Sequence, residues 1–129
     1  MDPQYIAETA KSPGRAVTDL LVAVQQYGYG VLHTYDLRET LASKGFSLPN
    51  ACHILEVCNP GQAAAVPAAD MSMNIALPCR VPVYQDGGRT LTGMVRPTVL
   101  LASLSKSEDL KTIAAQVEKD IIAVIEAAR

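Results

Sequence analysis

Apolar positions recur along this chain with two different periods, and the two periods divide it into helices and strands. Val17, Leu20, Leu21 and Val24 fall at helical spacing, with Asp19 and Gln25 on the wet side. Ser12-Pro13 supplies an N-cap followed by proline at the first helical position, where its missing N–H costs nothing. Gly28 and Gly30 end that helix. A second long helix is marked by the stripe Leu110, Ile113, Val117, Ile121, Val124 and Ala128. Ser105 or Ser107 caps it, and Glu108 and Asp109 suit the positive end of its dipole.

Between these helices the period drops to two, the spacing of a half-buried strand. Residues 4–7, 31–35 and 52–58 predict three strands. In the third, Cys52, Ile54, Glu56 and Cys58 share one face, and His53, Leu55 and Val57 the other. Residues 77–85 and 89–96 predict a hairpin about the turn Asp86-Gly87-Gly88. Pro78 and Pro82 have the same parity, so both missing N–H groups point to one side. That suits an edge strand, or a strand starting after Pro78, and not a central one. Short helices are expected after Asp36, where Glu39 completes a capping signature, and after Asn59-Pro60. Pro67 is expected to disturb the second of these, and residues 98–101 either extend the sheet or lead into the last helix. The order predicts one α+β domain over residues 1–129, a curved, mainly antiparallel sheet with two long helices on one face.

Composition narrows the function. Of 129 residues, 49% are apolar and 19% charged, which is the balance of a folded domain. Five Tyr, one Phe and no Trp leave an aliphatic core. Eleven basic against thirteen acidic side chains give a net charge of −2, which excludes the basic field of a general nucleic-acid binder. No apolar run approaches the roughly 20 residues of a membrane span, so no membrane partner is expected. The acidic-polar start, Met1-Asp2-Pro3-Gln4, has no secretory pattern, and a cytoplasmic location is expected. Three cysteines are an odd count that suits reduced thiols.

Candidate chemistry concentrates between His53 and Pro82. Cys58-Asn59-Pro60 places a thiol where a strand ends and a helix begins, a position that stabilises thiolate. Pro78-Cys79-Arg80 places a second thiol beside a cation. If the two segments are neighbours, Cys58 and Cys79 face one another with His53 or Glu56 within reach, a donor set for a metal ion. The plainer reading makes both thiols core filler. His53 lies on the opposite strand face from Cys58, so joint ligation needs a bulge. Nucleophilic catalysis at Cys58 needs a base and an orienting acid, for which His53 and Glu56 are the right types. The Asp86-Gly87-Gly88 turn lacks the Lys-Ser/Thr end of a phosphate loop.

The segment His53-Ile54-Leu55-Glu56-Val57-Cys58-Asn59-Pro60, then Leu77-Pro78-Cys79-Arg80-Val81 and the hairpin, resembles the domain of unknown function 302 (DUF302) family. Glu56, Cys58, Asn59, Pro60, Leu77, Pro78 and Cys79 match its motif, and Pro67 departs from it. The resemblance implies a TATA-binding-protein-like topology, β-α-β-β-β-β-α, usually paired as a homodimer, and brings no established activity. The expectation is a cytosolic homodimer that binds a small ligand or a metal-containing cofactor, a metal ion or haem, near Cys58 and Cys79. Its contacts would be Cys58, Cys79, His53, Glu56 and Arg80, with Cys58 and His53 as metal ligands. Binding is preferred to catalysis. The rivals are a thiol enzyme or redox protein using Cys58, and an interaction module with no ligand.

Overall fold

The computed structural model describes residues 2–129. The strands are β1 (Gln4–Thr9), β2 (Gly30–Asp36), β3 (Cys52–Cys58), β4 (Cys79–Asp86) and β5 (Arg89–Val95). The helices are α1 (Pro13–Gln26), α2 (Leu37–Ser43), α3 (Pro60–Ala69), α4 (Pro97–Leu104) and α5 (Glu108–Ala128), with a 3-10 turn at Met71–Ile75. The strands form one sheet in the order β1-β5-β4-β3-β2, every neighbouring pair antiparallel. Helices α1 and α5 pack on one face. Leu20 and Val24 from α1, Ile121 and Ile125 from α5, and Leu55 and Val83 from the sheet form the aliphatic core. A smaller cluster joins Val66, Met73, Leu101, Leu110 and Ala114 beneath α3 and α4. Among the described residues no helix is long and apolar enough to cross a membrane.

The caps act where the side chains predict. Ser12, Asp36 and Asn59 each accept hydrogen bonds from backbone N–H groups in the first turn of the helix that follows. Ser107, rather than Ser105, accepts from the Leu110 N–H at the start of α5. Gly87 and Gly88 both take positive φ, 58° and 79°, which is the geometry of a two-residue hairpin turn.

Three elements depart from expectation. Helix α3 runs on through Pro67 to Ala69, although the proline ring leaves the Ala63 carbonyl without its donor. Helix α4 and the 3-10 turn take segments with no clear period; the one local signal for α4 is Pro97 at its first position. The third departure bears on function. Strand β4 does begin after Pro78, but it lies in the middle of the sheet, between β5 and β3, and not at an edge.

A central strand accommodates Pro82 because its ladder to β5 is incomplete. β4 pairs with β3 along Cys79–Tyr84, from Val57↔Cys79 to Cys52↔Tyr84. It pairs with β5 only from Val83↔Thr92 to Asp86↔Arg89. The Gln85 N–H donates to the Ala51 carbonyl on the β3 side, 3.0 Å away. Alternation along the strand therefore turns the backbone groups of Tyr84, Pro82 and Arg80 toward β5. Extending the register sets Pro82 opposite Gly93, and proline has no N–H to give. The ladder stops there. Beyond it, Gly93–Val95 keep their pairing with Gln4–Ile6 of β1, while β4 stays with β3. β1 lies so close at this point that a Cβ on Gly93 would sit 2.4 Å from the Tyr5 carbonyl oxygen. The sheet thus has a gap between β4 and β5, open at the end away from the hairpin turn.

Candidate functional site

A cavity of about 480 Å³ occupies this gap and reaches both faces of the sheet. On the helix side its walls include Tyr29, Val57, Leu101, Ile113 and Val117. On the open face they include Ile6, Pro82 and Val95. The lining is overwhelmingly aliphatic, as the composition requires. Arg80, exposed at the open face, is its one charged side chain among the described residues.

Cys58 and Cys79 both line the cavity. Cys79 lies across from Val57 and so faces the helices. Burial, with a smaller contribution from Cys58 nearby, pushes its thiol up to about 11, so it is a neutral S–H at physiological pH. Cys58 ends β3, and Asn59 next to it is held on every side. The Asn59 Oδ1 accepts from the Gly61 and Gln62 N–H groups, and its Nδ2 donates to the Gly28 carbonyl.

Beside the thiols lies a polar network. The buried Tyr29 hydroxyl is 2.8 Å from Asp120 Oδ2 and 2.9 Å from the Gln62 side-chain amide. Gln116 Nε2 donates to the other oxygen of Asp120, at 2.8 Å. Burial, then the bond to Asp120, raises the Tyr29 pKa well above that of an ordinary phenol.

The other expected contacts are not brought to the cavity. His53 lies on the helix face opposite Val83, five residues along a regular strand from Cys58, about 16 Å at strand rise. Glu56 lies on the open face between His33 and Arg80. Its Oε1 accepts from the Tyr35 hydroxyl at 2.5 Å. The expectation of Cys58 and His53 as joint metal ligands is therefore corrected: the irregularity that would have joined them falls in β2, between Val31 and His33, and not in β3. Among the described residues no three His, Cys, Asp or Glu side chains are grouped to hold a metal ion. Tyr29, Gln62 and Asp120 went unmarked as site residues. The available signals were Tyr29 set between Gly28 and Gly30, and Gln62 three residues after the Asn59 cap.

The family described as "Domain of unknown function DUF302" matches residues 5–128. Among solved structures, the crystal structure of an uncharacterized conserved protein DUF302 from Bacillus stearothermophilus is similar, with a TM-score of 0.93 and 33% sequence identity, covering 100% of both chains. No curated protein matches the chain.

Proposed function

The chain belongs to the DUF302 family, and we propose that it is a homodimeric binding protein for an elongated, mainly apolar small molecule that carries one acidic group. The observation that carries this reading is the apolar cavity through the sheet gap, with Arg80 as its one charged lining residue among those described. Apolar walls take an alkyl chain out of water at about 25 cal/mol per Å² buried. The Arg80 guanidinium offers a planar fork suited to a carboxylate. In this reading Cys58 and Cys79 are polarisable wall contacts kept reduced in the cytoplasm. A thiol enzyme is less well supported, since neither His53 nor Glu56 stands ready to activate Cys58.

A second copy is assigned to the open face of the sheet. Ile6, Leu32 and Val95 there are 49%, 57% and 51% exposed, more than isolated surface aliphatics require when they rim one cavity. Pairing through that face also covers the open mouth.

Isothermal titration with dodecanoic acid tests the ligand class. Saturable binding at one molecule per chain is expected, with Arg80→Gln weakening it about tenfold through loss of a charge-assisted hydrogen bond. Absence of saturable binding for every straight-chain acid from hexanoic to hexadecanoic would overturn the reading.

A further inference from the structure

We infer that residues 59–78, the excursion that carries α3 and the 3-10 turn, form a flap over the helix-side end of the cavity, and that a ligand enters by lifting it. The inference rests on the proposed binding role. In the proposed dimer a second copy covers the open-face mouth, so the ligand needs a way in from the helix side.

The attachment of the segment points to this. It leaves the sheet after Cys58 and returns at Cys79, so its base is the strand pair Val57↔Cys79. A loop whose ends meet in one ladder pivots about that base as a piece and leaves the ladder intact. Among the described residues, every backbone hydrogen bond of residues 60–77 stays within the segment. Asp70, its one charged residue, accepts from Ser72, also within it. Beyond Asn59 at the base, one side-chain hydrogen bond reaches the body, from the Tyr29 hydroxyl to Gln62 Oε1 at 2.9 Å.

Apolar anchorage is equally sparse. Val66 is the one buried side chain of α3, and Met73 that of the 3-10 turn. Both belong to the small cluster with Leu101, Leu110 and Ala114, and neither to the main core. Met71 and Ile75 on the same turn are 70% and 83% exposed. The inner side of the flap, with Gln62, Ala63, Val66, Asn74 and Leu77, looks onto the cavity and not onto packed core. Few contacts are lost when such an element lifts, so it opens at a lower free energy than the sheet beneath it. A ligand in the cavity fills the space under the flap and adds contacts that favour closure, because it binds the closed form alone.

Stopped-flow mixing of the whole protein with dodecanoic acid tests the route, read by tyrosine fluorescence with Tyr29 in the cavity wall. Met73 anchors the flap and does not line the cavity, so Met73→Ala loosens the flap and spares the site. Association and dissociation should both quicken at least about tenfold, on the scale of truncating a buried methionine, with the equilibrium affinity unchanged. Unaltered rates, or faster dissociation alone with weaker binding, would overturn the inference while leaving the acid-binding reading intact. If Met73→Ala loses its helicity, Met73→Val replaces it, with the same pattern expected at smaller size. Hydrogen exchange on the unaltered protein is the second measurement. The α3 amides should exchange together and at least about a hundredfold faster than those of β3; protection equal to that of β3 overturns the inference. Should dodecanoic acid not bind, the acidic-ligand reading fails, and 1-decanol takes its place in the same rate comparison. Faster entry and release of decanol in Met73→Ala uphold the flap; unaltered rates or no binding overturn it.

Discussion

Cys79 carries the clearest pH signature of any single residue here. Its thiol is lifted from 9.0 to about 11 by burial, so the folded protein holds that proton more tightly than the unfolded chain does. Below pH 9 both states are protonated and the group has no differential effect. Between pH 9 and 11 the unfolded chain loses the proton first, and stability falls by about 2–3 kcal/mol across that window. Urea unfolding at pH 8.5 and pH 11 should show this loss, and Cys79→Val should lack that part of it. An identical decline in the variant would mean that other groups account for the alkaline loss. The chemical type of Cys79 and Cys58 was legible from the motifs, and their nearness only on condition that the two segments are neighbours, which β3 and β4 are. The raised pKa of Cys79 was not, because its burial is set by packing against the core of α1 and α5. His53 shows the converse. Its face was legible from parity, and so was its separation from Cys58; only a bulge in β3 would have brought the two together, and β3 is regular.

At the scale of elements, Pro82 does the most. The parity shared with Pro78 was readable, and so was the turn that pairs β4 with β5. What could not be read was that a strand can be central over one half and edge-like over the other, since this depends on where its partner's own pairing leads. β5 follows β1 past Gly93 because Gly93 lets the Tyr5 backbone come close. Pro82→Ala restores an N–H that points at the β5 side. The ladder should then extend by one hydrogen-bonded pair, narrow the cavity and weaken dodecanoate binding about tenfold, with the new amide protected from hydrogen exchange. A freely exchanging amide at that position in the variant, with unchanged affinity, would show that proline is not what holds the strands apart. Helix α3 also shows where local rules yield. Pro67 breaks one bond of the helix, yet Val66 beside it is anchored in the cluster with Met73 and Leu101, and the helix continues. The α4 segment, with the four-residue apolar run Val99–Ala102 after Pro97 and Thr98, had a length that fits strand and helix alike.

For the whole molecule, the one-domain α+β architecture was legible because the two long helices and the hairpin carry strong, independent signals. Partnership was not, since exposed aliphatics appear in a sequence as any other apolar strand residues. If the open face is a dimer interface, light scattering coupled to size exclusion should give twice the 13.7 kDa chain mass. Val95→Glu, which sets a charge in that contact with no effect on the helix-side core, should return a monomer of unchanged helicity. A chain already monomeric at high micromolar concentration would refute the interface.

The gap between β4 and β5 has a mechanical meaning as well. Five strands drawn as one sheet are, in terms of stiffness, two ribbons, β1-β5 and β4-β3-β2. They are riveted to each other over Val83–Asp86 and Thr92–Arg89 and free at the other end. Beyond Val83↔Thr92 no ladder pair joins the two ribbons, and each is complete in its own hydrogen bonds. A guest seated between the free ends interrupts no strand pair, while α1 and α5, packed on residues of both ribbons, tie the two together from the helix face. The same proline that interrupts the ladder leaves the sheet a slot.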